Sequence, residues 1–375
     1  MTNCEYSPQC NGCSNWGTPY SQQMSSKLKN LQNLLKEKQI LIENDIEFVS
    51  CGEMGLRHRV DFTIEYSETL KQHVYGFYDQ QKKLIQINSC LQLSSELQKI
   101  YTEFIEFKFY FAATPVRKGS VRLRVGPEGL KGCWLDFSNL DVKYLLDDQK
   151  VLNQLLDKGY IVEIGQKGKQ LIRENGLLKL SEPVAYHWMK TFDRDKKEML
   201  LKCLISDFTQ PSWTSAQAII NQVLAWTSKK DIKSVLEFGS GIGQFSLSFL
   251  KSGHSVEVFE IDESSLTQLN SNAKLHQLDK NLSSHLGDFH KKKIPEFKKH
   301  DIAFVNPSRS GLRGFNNELL NANCESLIYV SCFPETMTED LLKLSQAYRV
   351  CNITIIDQFP QTKHYETCVL LEKLH

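Results

Sequence analysis

The stretch Ser234–Phe249, SVLEFGSGIGQFSLSF, constrains the fold of this chain more than any other. It begins with the apolar pattern of a buried strand, turns through Gly239, Gly241 and Gly243, and continues with the apolar spacing of a helix. Strand, glycine turn and helix form the opening unit of a nucleotide-binding doubly wound sheet. Glycines suit such a turn because they let the backbone pass close to a ligand, where a Cβ would collide.

The spacing of these glycines indicates the kind of ligand. The pattern is E-x-G-x-G-x-G, whereas dinucleotide-binding proteins carry G-x-G-x-x-G. A tighter turn suits S-adenosylmethionine, which has no pyrophosphate to hold. We therefore predict cofactor contacts at Gly239 and Gly241, and at Gln244 where the following helix begins. A glycine turn that binds no ligand is the alternative interpretation.

The elements that follow favour the ligand-binding interpretation. His254–Ile261, HSVEVFEI, reads as a second strand with Glu260 near its end, and an acid about 20 residues beyond the first glycine is where a ribose diol is held. Asp288, in a later GDF segment, is a candidate for the adenine-side contact. Asp301–Val305 is a further strand, and it ends at Asn306, a further candidate for the cofactor site. We predict a doubly wound α/β sheet.

Length and composition set the broad class of protein. A chain of 375 residues has room for two or three domains with real cores. Apolar content of 41% and charged content of 24% are ordinary for a globular protein in water. No apolar run approaches the length of about 18 residues that a membrane span needs. The N-terminal sequence MTNCEYSPQC lacks the features of a signal peptide, so we expect a cytoplasmic monomer with no membrane partner.

The charge of the chain is near neutral overall but uneven. A formal net charge of +1 counts mildly against nucleic-acid binding, although a local basic surface still binds phosphates. The basic clusters comprise Arg117, Lys118, Arg122 and Arg124, and further on Lys291, Lys292, Lys293, Lys298 and Lys299. The aromatic residues Phe77, Tyr78 and Trp134 interleave with the first cluster and could stack on unpaired bases. Solvated charges and aromatic core positions are the ordinary alternatives.

Eleven cysteines are many for a cytosolic chain, and in a reducing compartment they favour metal binding or catalysis over disulfides. Cys4, Cys10 and Cys13 lie within a polar segment that has no core of its own. Their C-x5-C-x2-C spacing suits a cluster with a distant fourth ligand better than zinc, which prefers two close pairs. The candidates for that ligand are Cys51, Cys90 and Cys133. Cys90 is best placed, between a strand-like segment and a helix, and unrelated thiols in a loose tail are the alternative.

Changes in periodicity indicate the domain boundaries. Tyr20–Lys38 has helical periodicity, and strand-like alternation from about Arg57 is interrupted by the helical stretch Leu93–Phe111. Asp207–Trp213, DFTQPSW, precedes a predicted helix, Ala216–Trp226, that leads into the glycine turn, so we predict the linker and domain boundary near 185–210. Gln210 is polar and could reach a ligand at the edge of the sheet. The predicted domains are a cysteine segment with a linking helix (1–50), a central mixed α+β domain (51–190) and a catalytic domain (191–375).

The C-terminal part of the chain carries residues suited to covalent catalysis. The strands predicted there are Ser326–Cys332, Asn352–Asp357 and Val369–Leu374. Ligands of a parallel sheet lie at the carboxyl ends of its strands, which puts Cys332 and the turn around Glu366 on the cofactor edge. A thiolate can add to an electron-poor ring, make a neighbouring carbon nucleophilic, and leave after a base removes a proton. A buried structural cysteine is the alternative.

Several motifs in this order carry a family resemblance. They are C-x5-C-x2-C with the distant Cys90, F-x-Q at Phe208–Gln210, the glycine turn, Glu260, N-P-x-R-x-G at Asn306–Gly311, S-C-x-P-x-T at Ser331–Thr336 and F-P-x-T-x-H-x-E at Phe359–Glu366. With these motifs the chain resembles the RNA uracil-5-methyltransferases over nearly its whole length. The last two motifs are the most specific.

The resemblance implies a class I S-adenosylmethionine-dependent methyltransferase with a central RNA-binding domain. It implies that Cys332 adds to carbon 6 of uracil and that Glu366 takes the proton from carbon 5. The cofactor contacts that it implies are Gln210, Gly239, Glu260 and Asn306. It also implies that Cys4, Cys10, Cys13 and Cys90 hold a [4Fe-4S] cluster.

Within the family, the chain is most similar to the members that methylate uracil 747 of 23S ribosomal RNA. It has the cysteines that the tRNA enzymes lack, and it starts directly at them, without the β-barrel of the other 23S enzymes. We keep two alternatives: the same chemistry on another RNA such as tRNA, and a non-catalytic RNA-binding iron–sulfur protein. The intact motifs around Cys332 and Glu366 argue against the second.

Overall fold

The computed structural model describes residues 3–107, 118–137, 142–147, 149–228, 232–287 and 300–374. Its helices are α1 (Tyr20–Glu37), α2 (Ser95–Ile105), α3 (Val142–Asp147), α4 (Gln149–Asp157), α5 (Trp213–Ser228), α6 (Gln244–Lys251), α7 (Glu263–Leu275), α8 (Asn316–Ala322) and α9 (Pro334–Leu344). Its strands are β1 (Glu47–Ser50), β2 (Arg59–Ser67), β3 (Gln72–Tyr78), β4 (Leu84–Gln86), β5 (Lys118–Val125), β6 (Lys131–Asp136), β7 (Tyr160–Ile164), β8 (Lys169–Glu174), β9 (Leu177–Ser181), β10 (Tyr186–Phe192), β11 (Glu198–Cys203), β12 (Ser234–Phe238), β13 (Ser255–Glu260), β14 (Leu282–Leu286), β15 (Ile302–Val305), β16 (Ser326–Ser331), β17 (Tyr348–Asp357) and β18 (Glu366–Lys373).

The chain forms two compact units. The first unit contains Met1–Trp16, Met54–Met189 and Lys202–Trp213, and the second contains Gly17–Glu53, Lys190–Leu201 and Thr214–His375. Among the described helices, none is long and apolar enough to cross a membrane.

The first unit is built on one mixed sheet. The strand order is β4-β3-β2-β5-β6-β7-β8-β9, and the pairings are antiparallel except for β6 with β7. A parallel pair needs a crossover, and α3 and α4 lie between these two strands in the chain. Helix α2 buries Leu97, Ile100, Tyr101 and Phe104 in the core of this unit. It ends at Ile105, and residues 108–111 of the predicted longer helix lie outside the described residues.

The second unit contains the predicted doubly wound sheet. The strand order is β1-β17-β18-β16-β15-β12-β13-β14. The chain runs outwards from β12 through β13 to β14, then returns to β15 on the other side of β12, so a topological switch point lies between β12 and β15. Strand β18 is antiparallel to both β16 and β17, whereas the sequence analysis assumed a parallel sheet. A short connection from β17 suffices for such a reversal, because antiparallel neighbours need no crossover.

The predicted boundary at residue 50 does not match the division of the chain. Segment Gly17–Glu53 belongs to the second unit. Strand β1 extends the second sheet by parallel pairing with β17, and Leu31 and Leu35 of α1 lie in the core cluster of that unit. These contacts join residues about 300 positions apart in the chain, and such long-range pairing leaves no local pattern to read. The predicted boundary region near 185–210 contains the two-stranded β10–β11 ribbon. The chain passes from the first unit to the second within β10, and returns to the first unit within β11.

Candidate active site

The two predicted catalytic residues come together at one edge of the second sheet. Cys332 directly follows β16, and Glu366 begins β18. In the antiparallel register Ser331, the last residue of β16, pairs with Thr367, so Cys332 follows on from the strand where Glu366 precedes Thr367. Because β18 is antiparallel, its amino end lies at the same edge as the carboxyl ends of its neighbours. The sequence prediction that Cys332 and Glu366 share an edge therefore agrees with this geometry.

The surroundings of the Cys332 thiol act on it in opposite directions. Burial raises its pKa above the ordinary value, and the nearby Glu366 carboxylate raises it further. A side-chain hydrogen bond and the positive charge of Arg309 lower the pKa, because both favour the thiolate. The thiol also lies two residues before the N-terminus of α9, where the helix dipole favours negative charge. Arg309 is within the N-P-x-R-x-G motif, but the sequence analysis assigned it no role.

Glu366 is a buried acid with one described side-chain hydrogen bond. Complete burial raises its pKa to about 8, and a hydrogen bond from Gln358 works against that rise. The distance from Gln358 Nε2 to Glu366 Oε2 is 3.0 Å. A carboxylate with a pKa near 8 is a far stronger base than an ordinary glutamate, so the site can hold a proton acceptor beside a nucleophile. Gln358 was not among the residues predicted from the sequence.

Three predicted cofactor residues line one cavity of about 250 Å³ in the second unit: Gly239, Glu260 and Asn306. Its apolar lining includes Ile261 and Phe315. The cavity opens where β12, β13 and β15 end, beside the switch point, which is where ligands of doubly wound sheets bind. A polar face with one acid and an apolar face suit a nucleoside.

The glycine turn is fixed by the acid that was predicted to hold the ribose. Glu260 Oε2 accepts the N–H of Gly241 at 2.8 Å, and Oε1 accepts the N–H groups of Ile261 and Asp262. Gly241 has φ of +54°, a left-handed conformation that favours glycine. A carboxylate has about four acceptor positions, so Glu260 keeps capacity for a ligand hydroxyl.

Gln244, the remaining predicted cofactor residue in this unit, is buried at the start of α6. Among the described residues its side-chain Nε2 has no hydrogen-bond partner, which fits a donor that serves a ligand. Glu237, on β12, is also buried. Burial raises its pKa to about 8, while Ser246 Oγ donates to its Oε2 at 2.6 Å.

Helix α9 fixes the loop that joins the cavity to the thiol. Thr336 Oγ1 donates to the carbonyl oxygen of Arg309 at 3.1 Å. Asp340 Oδ2 accepts the N–H of Leu312 at 2.8 Å. A Cβ on Gly311 would meet that carboxylate at 2.6 Å, so only glycine lets the loop pass so close to the helix. The helix that follows Cys332 therefore also positions Arg309.

Four predicted cofactor residues are not among those that line this cavity: Gly241 and Gln244, whose surroundings are given above, and Asp288 and Gln210. Asp288 lies outside the described residues. Gln210 belongs to the first unit, where its neighbour Thr209 is held by two arginines: Arg59 Nη1 donates to the Thr209 carbonyl at 3.1 Å, and Arg124 Nη2 donates to its hydroxyl. The cofactor role of Gln210 stays a prediction.

The first basic cluster differs from an open phosphate-binding surface. Arg124 is buried and donates to the carbonyl of Leu204, and Arg122 donates to Asp61 and to the carbonyl of Ser206. These arginines hold the segment that leads to the F-x-Q motif. A buried arginine satisfied by carbonyls has little left for a phosphate. Arg117 and the second cluster, residues 291–299, lie outside the described residues.

The four predicted cluster ligands are electrostatic neighbours in the first unit. Burial, and then the thiols of Cys90, Cys10 and Cys4, raise the pKa of Cys13 to about 12. The pKa of Cys90 is raised by burial, and also by Cys10 and Cys4. The backbone N–H of Gly12 points to Cys10 Sγ at 3.4 Å, as N–H groups do around cluster sulfurs.

The other two candidate ligands have different surroundings. Cys51 lies in the second unit beside Ser215 and Asp357, and Cys133 is fully buried on β6. Within the described ranges, no group of three or more His, Cys, Asp or Glu side chains is arranged to hold a single metal ion.

A solved structure shares the fold of both units. The crystal structure of Pyrococcus abyssi tRNA (uracil-54, C5)-methyltransferase, in complex with S-adenosyl-L-homocysteine, matches with a TM-score of 0.68 and 20% identity. The match covers 97% of this chain and 86% of that chain. The match shows that the chain has the class I S-adenosylmethionine-dependent methyltransferase fold.

Sequence comparisons give the family. Residues 189–374 match the family model described as tRNA (uracil-5-)-methyltransferase. An uncharacterised RNA methyltransferase of Bdellovibrio bacteriovorus is 35% identical, over 99% of this chain and 95% of that protein. The 23S rRNA (uracil(1939)-C(5))-methyltransferase RlmD of a Marinomonas species is 27% identical, over 99% of this chain and 80% of that protein. The chain belongs to the RNA uracil-5-methyltransferase family and is an RNA methyltransferase.

Proposed function

We propose that this enzyme methylates carbon 5 of a specific uridine in 23S ribosomal RNA through a covalent adduct with Cys332. The observation that carries the proposal is the Cys332 thiol beside the buried Glu366 carboxyl, with Arg309 hydrogen-bonded to the thiol. Uracil needs both groups, because its carbon 5 becomes nucleophilic only after a nucleophile adds to carbon 6, and the product forms only after a proton leaves carbon 5.

The chemistry follows from these side chains. Cys332 loses its proton to solvent, and Arg309 stabilises the thiolate, which forms a bond to carbon 6 and pushes the electron pair of the ring double bond towards carbon 5. S-adenosylmethionine, when bound, supplies the methyl group. Glu366 then takes the proton from carbon 5, the electron pair re-forms the double bond, and the carbon–sulfur bond breaks. The thiolate is restored, and Glu366 returns its proton to solvent.

The cofactor contacts belong to the same proposal. Glu260 holds the ribose diol, Asn306 and the glycine turn border the cofactor, and Gln244 donates from its free Nε2. Gln210, from the motif resemblance and its polar side chain near the sheet edge, and Asp288, from its place in the GDF segment, are further proposed contacts. We also propose that Cys4, Cys10, Cys13 and Cys90 hold a [4Fe-4S] cluster, and their mutual influence on thiol pKa values supports it.

Relatives named as 23S rRNA enzymes, matched over almost the whole chain, support 23S rRNA as the substrate. The motif resemblance implies uracil 747, and those relatives are named for uracil 1939. Mass mapping of 23S rRNA from a strain without this protein tests the proposal. Loss of one methyl group at a uridine of 23S rRNA is the expected result, and an unchanged map would overturn the choice of substrate.

A tRNA uridine is the second candidate, because the family model and the matching crystal structure both carry tRNA in their descriptions. The same deletion strain decides between the two. Loss of 5-methyluridine from bulk tRNA, with 23S rRNA unchanged, would establish the tRNA alternative and leave the chemistry at Cys332 and Glu366 as proposed.

A further inference from the structure

Helix α1 carries a polar stripe beside the buried leucines Leu31 and Leu35. The stripe consists of Tyr20, Gln23, Lys27 and Asn30, at spacings that place them on one side of a helix. Gln23 and Lys27 are 1% and 2% exposed, which is unusual for an amide and an ammonium group. Buried polar groups of this kind are costly unless they make specific contacts.

The contacts of Lys27 enclose one particular residue. Its Nζ donates to Asp357 Oδ1 at 2.7 Å and to the carbonyl oxygen of Phe359 at 3.0 Å. Asp357 and Phe359 are the residues on either side of Gln358. The ammonium group therefore holds the Asp357 side chain and the Phe359 backbone, on either side of the residue that donates to Glu366.

The rest of the stripe holds the same connection between β17 and β18. Tyr20 donates its hydroxyl to Asp357 Oδ2 at 2.9 Å. Gln23 makes a two-bond contact with Gln361: its Nε2 donates to Oε1 at 2.8 Å, and its Oε1 accepts the backbone N–H at 3.0 Å.

The last contact of the stripe is the bond from the hydroxyl of Tyr365, the residue before the base, to Asn30 Oδ1 at 2.7 Å. The stripe thus contacts the last residue of β17 and three residues of the connection, Phe359, Gln361 and Tyr365.

We infer that the polar stripe of α1 consists of positioning residues for the general base: it fixes the connection between β17 and β18, so that Gln358 and Glu366 face carbon 5 of the substrate ring. The inference rests on the proposed function, because it assigns the stripe to the step at which Glu366 accepts a proton. The stripe acts through Gln358 and the backbone and does not touch the reacting atoms. Its loss is expected to slow proton removal and to spare bond formation at Cys332.

The experiment separates these two steps with an unmodified 23S rRNA transcript and labelled S-adenosylmethionine. One measurement follows methyl transfer to RNA in a single turnover, and the other follows the decay of the denaturant-resistant enzyme–RNA adduct. Gln23→Met is the main variant, because it removes both hydrogen bonds to Gln361 and leaves no buried charge unpaired; it also removes the bond from Gln23 Nε2 to the carbonyl oxygen of Thr18. Lys27→Met is the stronger variant, with the risk that the unpaired Asp357 prevents folding.

Tyr348→Phe is the matched control. Tyr348 lies at the opposite end of β17 and donates a buried hydroxyl bond of 2.8 Å to the carbonyl of Cys324, so its loss weakens the same strand away from the base. Tyr20→Phe removes a hydroxyl hydrogen bond to Asp357, at the end of β17 that lies near Glu366.

Gln23→Met is expected to slow adduct decay about tenfold or more and to leave methyl transfer within about twofold of the wild type, because small displacements of a catalytic group cost rate at its own step. The pH profile of adduct decay should also move to higher pH, since a displaced Gln358 no longer favours the charged form of Glu366. Tyr348→Phe should change neither rate.

Two results would overturn the inference. One is that Gln23→Met slows methyl transfer and adduct decay by the same factor. The other is that Gln23→Met changes these two rates no more than Tyr348→Phe does. A separate experiment tests the proposed function itself. A transcript containing 5-fluorouridine has no proton at carbon 5 for the base to remove, so the wild-type enzyme should stay attached to it as a stable adduct. If the wild type forms no adduct on this transcript, the proposed function is wrong.

Discussion

Gln358 donates a hydrogen bond of 3.0 Å from its Nε2 to Oε2 of Glu366, and both side chains are buried. This bond favours the charged carboxylate, while burial disfavours it, and burial prevails: the pKa of Glu366 is raised to about 8. At neutral pH the free enzyme therefore holds Glu366 mostly in its protonated form. A base of this kind becomes available as the pH rises.

The first prediction concerns the pH dependence of catalysis. Because only the deprotonated form of Glu366 accepts a proton, the rate at which the methylated enzyme–RNA adduct decays should rise with pH and level off above about 8. Gln358→Leu removes the bond that lowers the pKa of Glu366, so its profile should rise at higher pH than that of the wild type. Decay of the denaturant-resistant adduct, followed between pH 6 and pH 10, measures both profiles. A flat wild-type profile, or a Gln358→Leu profile shifted to lower pH, would contradict this account.

The second prediction concerns stability, through Glu237. Its pKa is raised from 4.5 to about 8 in the folded chain, so the folded state favours the protonated acid. That stability is fully present below pH 4.5 and is lost as the pH rises through 8, and the loss is on the order of a few kcal/mol. Glu237→Gln stays neutral and should reduce the decline in unfolding free energy between pH 5 and pH 8. Urea unfolding at both pH values provides the measurement, and an unchanged decline would show that Glu237 is not buried as an acid.

Local patterns predicted the catalytic unit well because its elements are short-range. The strand, glycine turn and helix from Ser234 to Phe249 form as predicted, and so do the strands that end before Asn306 and Cys332. Strand β1 and the role of α1 were not predicted. Strand β1 depends on pairing with β17, and α1 depends on side-chain contacts at the end of β17, both far along the chain. The buried face of α1 begins with Gln23 and Lys27, which an apolar periodicity does not detect.

The site itself was predictable where residue type and motif agreed. Cys332 and Glu366 stand in specific motifs, and the register of β16 with β18 brings them together. Gln358 and the contact between Arg309 and the thiol depend on side-chain directions in a turn and a loop, which no sequence period encodes. The arginines at 122 and 124 were read as a possible phosphate surface, although they satisfy carbonyl groups of residues 204–206.

A third prediction tests the cofactor site at Glu260. Glu260→Ala removes a charge-assisted contact to the ribose, and a loss on the order of 1.5–3 kcal/mol, roughly 10- to 150-fold in affinity, is expected. Glu260→Gln is the matched variant, since an amide oxygen can still accept the N–H of Gly241 and keep the turn in place. Calorimetry with S-adenosylhomocysteine gives the affinities. Wild-type affinity in Glu260→Ala would reject the assignment.

The fourth prediction concerns the cysteines of the first unit. Protein purified without oxygen should be brown and carry about four irons per chain. Cys90→Ser should weaken iron retention more than Cys51→Ser, because Cys90 is the residue that shares an electrostatic environment with Cys13. Iron analysis and absorption spectra of the two variants decide the question. Colourless protein with stoichiometric zinc would contradict the cluster assignment. A greater loss of iron from Cys51→Ser than from Cys90→Ser would show that Cys90 is not the fourth ligand.

The central claim is that Cys332 and Glu366 act at successive steps of one reaction. Cys332→Ala cannot form the bond to carbon 6, so it should give neither methyl transfer nor an adduct. Glu366→Gln can still transfer the methyl group, but the proton on carbon 5 then has no acceptor. Methylated RNA should therefore stay attached to the thiol.

The most direct measurement is a denaturing gel of Glu366→Gln incubated with 23S rRNA transcript and S-adenosylmethionine carrying a labelled methyl group. The account predicts a slow, denaturant-resistant band that contains protein, RNA and label, and that is absent for Cys332→Ala. Normal turnover by Glu366→Gln, or 5-methyluridine made by Cys332→Ala, would contradict the assignment of nucleophile and base.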